Sequence, residues 1–437
     1  MNNRTITNLV FLTSLPTLLL FSLSSFTEMI TYFIVVFTLC FCYYLLQPNG
    51  LNLIGYSLPL FPLVFFMKGD FYFYFITTAI LIIIYINMVV KHPELVKKLF
   101  LGRSFFVFFI FFFLYFLFSF LLTGHYSRGM KFIDLGLSMG IIPLLSTNER
   151  LFKKTLFHFG IISIIFAIIV GMLGARFLDG DLNQLKDVNI GGANPIGYGI
   201  PVALFLSLLF LSPNIILPES FYKKRLYNYL LIGITTLALI VTTSRGSILA
   251  FLLSFIIIIS LKGAYKVLFN FLFLTTIGII FYSIAVIFVP EFGFASEFIV
   301  GRAFDEGIDL NQYSHDRVEM WQGVGAELAA GNFWLFGTGP GLEMSANYLT
   351  GFFMTHIFHA FPLKLVVEIG VLGTILFYLF FLQLFFDVIF QLRKGHFPLP
   401  MMGLIFWFTI SLTVTGIDML SGLALGFSFL RIKKSSS

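Results

Sequence analysis

Long runs of apolar residues, separated by short polar stretches, recur along the whole of this chain. Many of the runs approach the roughly 20 residues that an α-helix needs to cross a hydrocarbon layer. The pattern therefore predicts an all-α fold, a polytopic transmembrane bundle of about 12–14 helices. The predicted spans are 6–23, 28–46, 51–66, 71–90, 105–123, 132–146, 154–175, 195–212, 227–242, 246–261, 266–289, 361–387, 398–415 and 418–431.

One polar segment, residues 290–360, interrupts this pattern and is rich in acidic side chains and histidine. Within it, residues 316–330 have helical spacing, and the GTGPG run at 337–341 predicts a turn. Long ordered loops in compact proteins usually carry function. We therefore expect a single membrane domain with three parts: N-terminal transmembrane helices (1–289), the long loop with short helices (290–360) and C-terminal transmembrane helices (361–437).

The charges set the class of protein and its orientation. Of the 437 residues, 58% are hydrophobic and 11% are charged, against about 25% charged residues in soluble domains. With a cytoplasmic N-terminus, 18 of the 27 Lys and Arg residues fall in loops on the cytoplasmic side. The positive-inside rule then puts both termini in the cytoplasm and the 290–360 loop outside. The net charge of +6 follows from these loops and does not indicate nucleic-acid binding.

Several arginines fall at the outer face in this topology. Arg245 stands in TTSRGS between two apolar runs, and Arg317 stands in SHDRVEMWQ before the predicted loop helix. The planar guanidinium suits a phosphate or diphosphate, to which it can donate two parallel hydrogen bonds. Arg128, Arg176 and Arg302 are secondary candidates. The alternative role is an interfacial anchor or a helix-cap charge for Arg245, and a pair with a nearby carboxylate or a surface charge for Arg317.

The segment HIFHAFPLKLVVEIGVLG, residues 356–373, carries the other candidates. A histidine titrates near neutrality, so His359 or His356 at the outer face can take a proton from an attacking hydroxyl. Glu368 lies inside an apolar run and needs a partner there, which favours a structural or orienting role. Gly370 and Gly373 allow close helix packing. Simple packing is the alternative role for either histidine.

Other classes of protein find less support in the sequence. There is no cluster of His, Cys and Asp with metal-ligand spacing and no phosphate-binding loop of the nucleotide-binding kind. Cys40 and Cys42 fall on different faces of a predicted helix, which argues against a disulfide or a metal site formed by the two. A transporter or flippase would need charges near the bilayer midplane. Here the central helices are nearly free of charge, and the charges outside the cytoplasmic loops gather at the outer face, with marginal exceptions at Asp134, Lys364, Glu368, Asp387 and Asp418.

The order of these motifs resembles the O-antigen ligase and O-antigen polymerase superfamily of bacterial membrane glycan transferases. The matching pieces are Ser244–Gly246, Arg317 with Trp321, the FGTGPG turn at 336–341, and His359 followed by Glu368, Gly370 and Gly373. The resemblance covers residues 190–431. One departure is Ala360, where the family often has Asn or Ser after the histidine.

The resemblance implies a GT-C-like fold and a metal-independent, inverting glycosyl transfer without a cofactor, at the periplasmic face of the bacterial inner membrane. The implied donor is a glycan on undecaprenyl diphosphate, held by Arg245 and Arg317, and the implied base is His359. The acceptor is a second lipid-linked repeat unit for a polymerase or lipid A core for a ligase. Membrane lipids and a chain-length regulator are the further partners. We expect the polymerase, with the ligase as the alternative.

Overall fold

A computed structural model describes parts of the chain from residue 51 to residue 430. Among the described residues the regular elements are α-helices and short 3-10 helices, and no strand occurs. The described residues are 51, 54–55, 58–60, 81–82, 84–86, 88–90, 92–97, 104–123, 126–176, 195–217, 225–242, 244–262, 269, 276, 317–331, 335–340, 361–394, 399–413 and 419–430. The all-α prediction holds for this part of the chain.

The helices with described bounds are numbered here in chain order. They are α1 (Pro93–Val96), α2 (Ser104–Thr123), α3 (Tyr126–Met139), α4 (Ile141–Leu145), α5 (Glu149–Arg176), α6 (Pro195–Leu211), α7 (Pro213–Ile216), α8 (Arg225–Val241), α9 (Arg245–Lys262), α10 (Arg317–Ala329), α11 (Phe361–Arg393), α12 (Leu399–Thr413) and α13 (Met419–Gly426). Two 3-10 helices accompany them, Leu58–Leu60 and Phe427–Phe429.

Most of these helices coincide with the predicted apolar spans to within a few residues, but two spans are interrupted, one at Gly140 and one at Gly370. The span predicted at 132–146 forms α3 and α4, with Gly140 between them. Pro143 explains the interruption, because it cannot donate a backbone hydrogen bond and its ring crowds the carbonyl four residues earlier. The spans at 6–23 and 28–46, and the domain limits at 289 and 360, lie outside the described residues.

Helix α11 reverses direction at Gly370, where the sequence predicted one continuous span. Gly370 has φ 73° and ψ 177°, a backbone conformation outside the helical region. An unbroken helix would separate positions 361 and 377 by about 24 Å, yet the rings of Phe361 and Phe377 lie 4.9 Å apart between centroids. The residues before Gly370 therefore fold back along the residues after it. We call them the N-terminal arm (361–369) and the C-terminal arm (371–393).

The N-terminal arm lies inside the bundle. Phe361 contacts Trp407 of α12, with 5.4 Å between ring centroids, and Phe132 of α3, with 6.5 Å. Most of the arm's side chains are buried. The C-terminal arm runs antiparallel to α2, since Phe112 contacts Phe377 while Phe109, a turn earlier, contacts Phe380. This arm alone is about 34 Å long, enough to cross a hydrocarbon layer of about 30 Å.

Several helices expose apolar side chains along one face. On α2, Phe111 and Leu114 are each 56% exposed and Leu121 is 70% exposed, while Phe112 and Phe116 on the other face are buried. The C-terminal arm of α11 exposes another such row: Leu372, Ile375, Leu379, Leu382, Phe386 and Phe390. Extended apolar surface of this kind marks contact with a membrane or a partner.

Length and composition agree with a membrane environment for two helices of the described part. Glu149–Ile168 and the stretch Phe361–Arg393, in which the C-terminal arm alone has the length, are apolar enough to cross a bilayer, and shorter apolar helices accompany them. Buried and partly buried hydroxyls inside these helices donate to the carbonyl four residues earlier, as Ser163 does to Phe159 at 2.6 Å and Thr374 to Gly370 at 2.7 Å. Such bonds satisfy polar groups where no water is available.

Candidate functional site

The SRG motif forms the start of α9, and it is held by buried hydroxyls. The Oγ atoms of Ser244 and Ser247 lie 2.8 Å apart, and the carbonyl of Ser244 accepts from the amide of Ile248 at 3.0 Å. Helix α6 approaches closely through Gly199, where a Cβ would lie 2.7 Å from Ser247 Oγ. Ser244 and Ser247, on either side of Arg245 and Gly246, are thus packed against α6, and they hold the backbone of Arg245 at the start of α9.

The other predicted arginines with a described backbone also lie at helix ends. Arg128 is in the first turn of α3, Arg176 is the last residue of α5, and Arg317 is the first residue of α10. Helix α10 contacts α11, and α12 packs against both α9 and α11. The structure thus brings the helices of Arg317 and Glu368 together. The predicted approach of Arg245 to Arg317 stays a prediction, and Arg302, His356 and His359 lie outside the described residues.

Glu368 has the partner that its apolar surroundings demand. Lys364 Nζ lies 3.4 Å from Glu368 Oε1, one helical turn away on the N-terminal arm. Both side chains are buried, with relative exposures of 3% and 0%. In the sequence, Lys364 stands out only as one of the marginal charges within the apolar runs. The i, i+4 spacing between a cation and an anion on one helix was the signal that could have identified the pair.

A turn at residues 335–340, which we call the capping turn, closes the reversal of α11. The amide of Thr338 donates to the carbonyl of Val367 at 2.7 Å, and the amide of Gly339 donates to that of Glu368 at 2.8 Å. The last carbonyls of a helix have no donor within it, so the capping turn supplies the donors that the N-terminal arm needs. The turn predicted at 337–341 is confirmed over 337–340, whereas its contact with α11 was not foreseen.

The capping turn also binds to α2. The hydroxyl of Tyr115 donates to the carbonyl of Leu335, and the Ser119 hydroxyl lies 3.5 Å from that of Phe336. The Phe336 ring stacks on Tyr115, with 5.6 Å between centroids and an interplanar angle of 16°. Gly373 makes room for this arrangement, since a Cβ there would lie 2.7 Å from the Tyr115 ring. The turn therefore bridges α2 and the reversal.

The buried ion pair leads to a stability prediction. Lys364→Met removes the cation beside Glu368 and should lower the free energy of unfolding by about 3 kcal/mol or more, because loss of one partner leaves a buried charge. The double variant Lys364→Met with Glu368→Leu should recover most of that loss, since both charges are then replaced by apolar groups of similar size. Thermal unfolding in detergent measures both. A double variant no more stable than the single one would contradict the prediction.

The described residues contain no group of three or more His, Cys, Asp and Glu side chains placed to hold a metal ion. Their bundle of apolar helices, with apolar side chains exposed on several outer faces, is typical of α-helical membrane proteins.

Comparison with known proteins narrows this class. Residues 230–378 match the model of a protein family described as O-antigen ligase. This match confirms the resemblance to the O-antigen ligase and polymerase superfamily, and the matched stretch contains Arg245, α10, the capping turn and the reversal of α11. Together with the apolar helices, it indicates an integral membrane protein. No curated protein sequence matches the chain significantly.

Proposed function

We propose that the chain is a membrane glycosyltransferase that moves a glycan from undecaprenyl diphosphate to a sugar hydroxyl at the periplasmic face of the bacterial inner membrane. The observation that carries this proposal is the family match over residues 230–378. Arg245 and Arg317 bind the donor diphosphate, with Arg128, Arg176 and Arg302 as secondary cations. His359 is the general base, with His356 beside it in sequence.

The proposed reaction exchanges one bond at the anomeric carbon of the donor sugar. The acceptor oxygen attacks this carbon and loses its proton to His359, while the bond to the diphosphate oxygen breaks. The diphosphate leaves with its electron pair, and the arginines stabilise the negative charge that develops. Attack opposite the leaving group inverts the anomeric centre. No metal ion takes part, since the cationic side chains perform the charge stabilisation.

The acceptor distinguishes two candidate functions. In the first, the acceptor is another lipid-linked repeat unit, and the protein polymerises O-antigen or another surface polysaccharide, in a bundle with a GT-C-like fold and with a chain-length regulator as partner. In the second, the acceptor is lipid A core, and the protein is a ligase. The description of the matched family favours the second candidate. The first candidate is favoured by the resemblance, since polymerases of this superfamily tend to be rich in phenylalanine and this chain has 60 Phe residues.

Purified protein in lipid nanodiscs tests the proposal and separates the candidates. With undecaprenyl-diphosphate-linked repeat units alone, a polymerase yields a ladder of longer lipid-linked glycans. A ligase yields product only after addition of lipid A core. If neither mixture gives a product with donors of several repeat-unit structures, the proposed function is wrong.

The proposed topology places residues 290–360 in the periplasm and the loop at 213–226 in the cytoplasm. We expect Glu343→Cys, in a background with Cys40 and Cys42 replaced by serine, to react with a membrane-impermeant maleimide that has access to the periplasm only. Lys223→Cys is the control and should react only after the membrane is opened. Protection of position 343 together with labelling of position 223 would reverse the orientation.

A further inference from the structure

The capping turn lies at the junction of three structural parts. One side of it holds the end of the N-terminal arm through the two amide bonds to the carbonyls of Val367 and Glu368. The other side binds α2 through the carbonyls of Leu335 and Phe336. In sequence, the turn lies between α10, which begins at Arg317, and the segment that leads to the arm. The turn is therefore placed to fix the arm relative to the rest of the bundle.

The backbone of the turn can approach the arm this closely only because of glycine. Gly337 has φ 63°, and a Cβ there would lie 2.7 Å from the amide nitrogen of Gly370 and closer still to the carbonyl oxygen of Val367. Contacts of that length lie well inside van der Waals distance, and the atoms met are backbone atoms that cannot rotate away. Any side chain at position 337 must push the turn and the arm apart.

A hydroxyl reinforces the same contact. Thr338 Oγ1 donates to the carbonyl of Val367 at 3.1 Å, beside the amide bond from its own backbone. Gly339 has φ 103°, which is also a conformation that favours glycine. Three consecutive residues of the turn thus act on the carbonyl end of the arm. Gly337 allows the close approach, and Thr338 and Gly339 donate hydrogen bonds to its last carbonyls.

We propose that Gly337, Thr338 and Gly339 are positioning residues for glycan transfer. By holding the end of the N-terminal arm, they fix the buried pair of Lys364 and Glu368 and the chain that joins the arm to the proposed base. They touch neither donor nor acceptor. The proposal rests on the proposed function, and it adds that the rate of transfer depends on the docking of this turn.

Gly337→Ala tests the proposal, with Gly331→Ala as a matched control. Gly331 also has a positive φ, of 89°, but a Cβ there meets no atom within 4 Å. Both variants strain the backbone, and only the first separates the turn from the arm. In nanodiscs, Gly337→Ala should lower kcat about tenfold or more, because misplacement of reacting groups by about 1 Å can cost as much as a hundredfold. The donor Kd should stay within about twofold in both variants, since the proposed diphosphate ligands are untouched.

Hydrogen–deuterium exchange of the arm amides gives a readout that does not depend on activity. Exchange of residues 361–369 should rise in Gly337→Ala and stay at the wild-type level in Gly331→Ala. Equal effects of the two substitutions on kcat and on exchange would overturn the positioning role. If the wild type itself transfers no glycan, the proposed function fails, and unchanged exchange in Gly337→Ala would independently refute the docking of the turn.

Thr338 provides a milder variant in case Gly337→Ala does not assemble. Thr338→Val keeps the shape of the side chain and removes its hydrogen bond to Val367, and it should lower kcat several-fold with an unchanged donor Kd. Thr338→Ser retains the hydroxyl and should restore most of the rate. A valine variant as active as the wild type, or a serine variant as impaired as the valine variant, would count against the proposal.

Discussion

Arg245→Ala is expected to abolish glycan transfer while the protein remains folded, and Arg245→Lys is expected to recover little of it. The guanidinium presents two parallel donors to a diphosphate, whereas the lysine ammonium is a point charge without that planar geometry. Removal of one group that stabilises developing charge typically costs about 10²–10³ in rate. Turnover of a lipid-linked donor by purified protein in nanodiscs measures the loss.

Lys394→Ala is the control for the loss of a positive charge. Lys394 follows α11 at the end opposite to the reversal, where it lies over the Phe390 ring at 4.1 Å from the centroid. Its replacement should leave transfer unchanged. Full activity in Arg245→Lys would argue strongly against binding of the diphosphate through two parallel hydrogen bonds. That result would be compatible only with a single ionic contact between the side chain and the diphosphate.

His359→Ala should reduce transfer by at least about a hundredfold with donor binding intact, since general acid–base assistance is typically worth about 10²–10⁴. His356→Ala should lose less. A base must be neutral to accept a proton, so activity should fall as the pH drops through the histidine pKa, which is about 6.5 when unperturbed. Transfer rates measured against pH for the wild type and both variants test whether activity falls at low pH.

A role for His359 in helix capping or packing predicts a different outcome. In that case His359→Gln would serve nearly as well as histidine, and the acid limb of the pH profile would be the same with either residue. Near-normal turnover in His359→Gln would therefore remove this residue from the mechanism and leave the proton acceptor to be found elsewhere.

The long helices of the described part were predictable because long apolar runs indicate which segments can lie within a bilayer. The bounds of α2 and α6 follow from the extent of their apolar runs. The capping turn was predictable as a turn because glycine and proline exclude regular structure there. Glu368 was predictable as a paired residue, because an isolated carboxylate inside an apolar run is too costly.

The reversal at Gly370 was not predictable in the same way. The apolar run continues on both sides of Gly370, and Glu368, two residues earlier, indicates the need for a partner rather than a break in the helix. Glycine itself is common within membrane helices. What permits the reversal is a set of donors from the capping turn, about 30 residues away in sequence. Hydropathy reports the environment of each side chain, but it does not report which backbone groups find partners in another segment.

Because the N-terminal arm is buried against residues that follow it in the chain, it can reach its final position only late in synthesis. The arm is about 14 Å long, too short to cross a hydrocarbon layer of about 30 Å, and it carries both Lys364 and Glu368. Phe361 at its start packs on Trp407 of α12. The arm's burial can therefore be completed only once α12, with Trp407, has been synthesised and packed beside it.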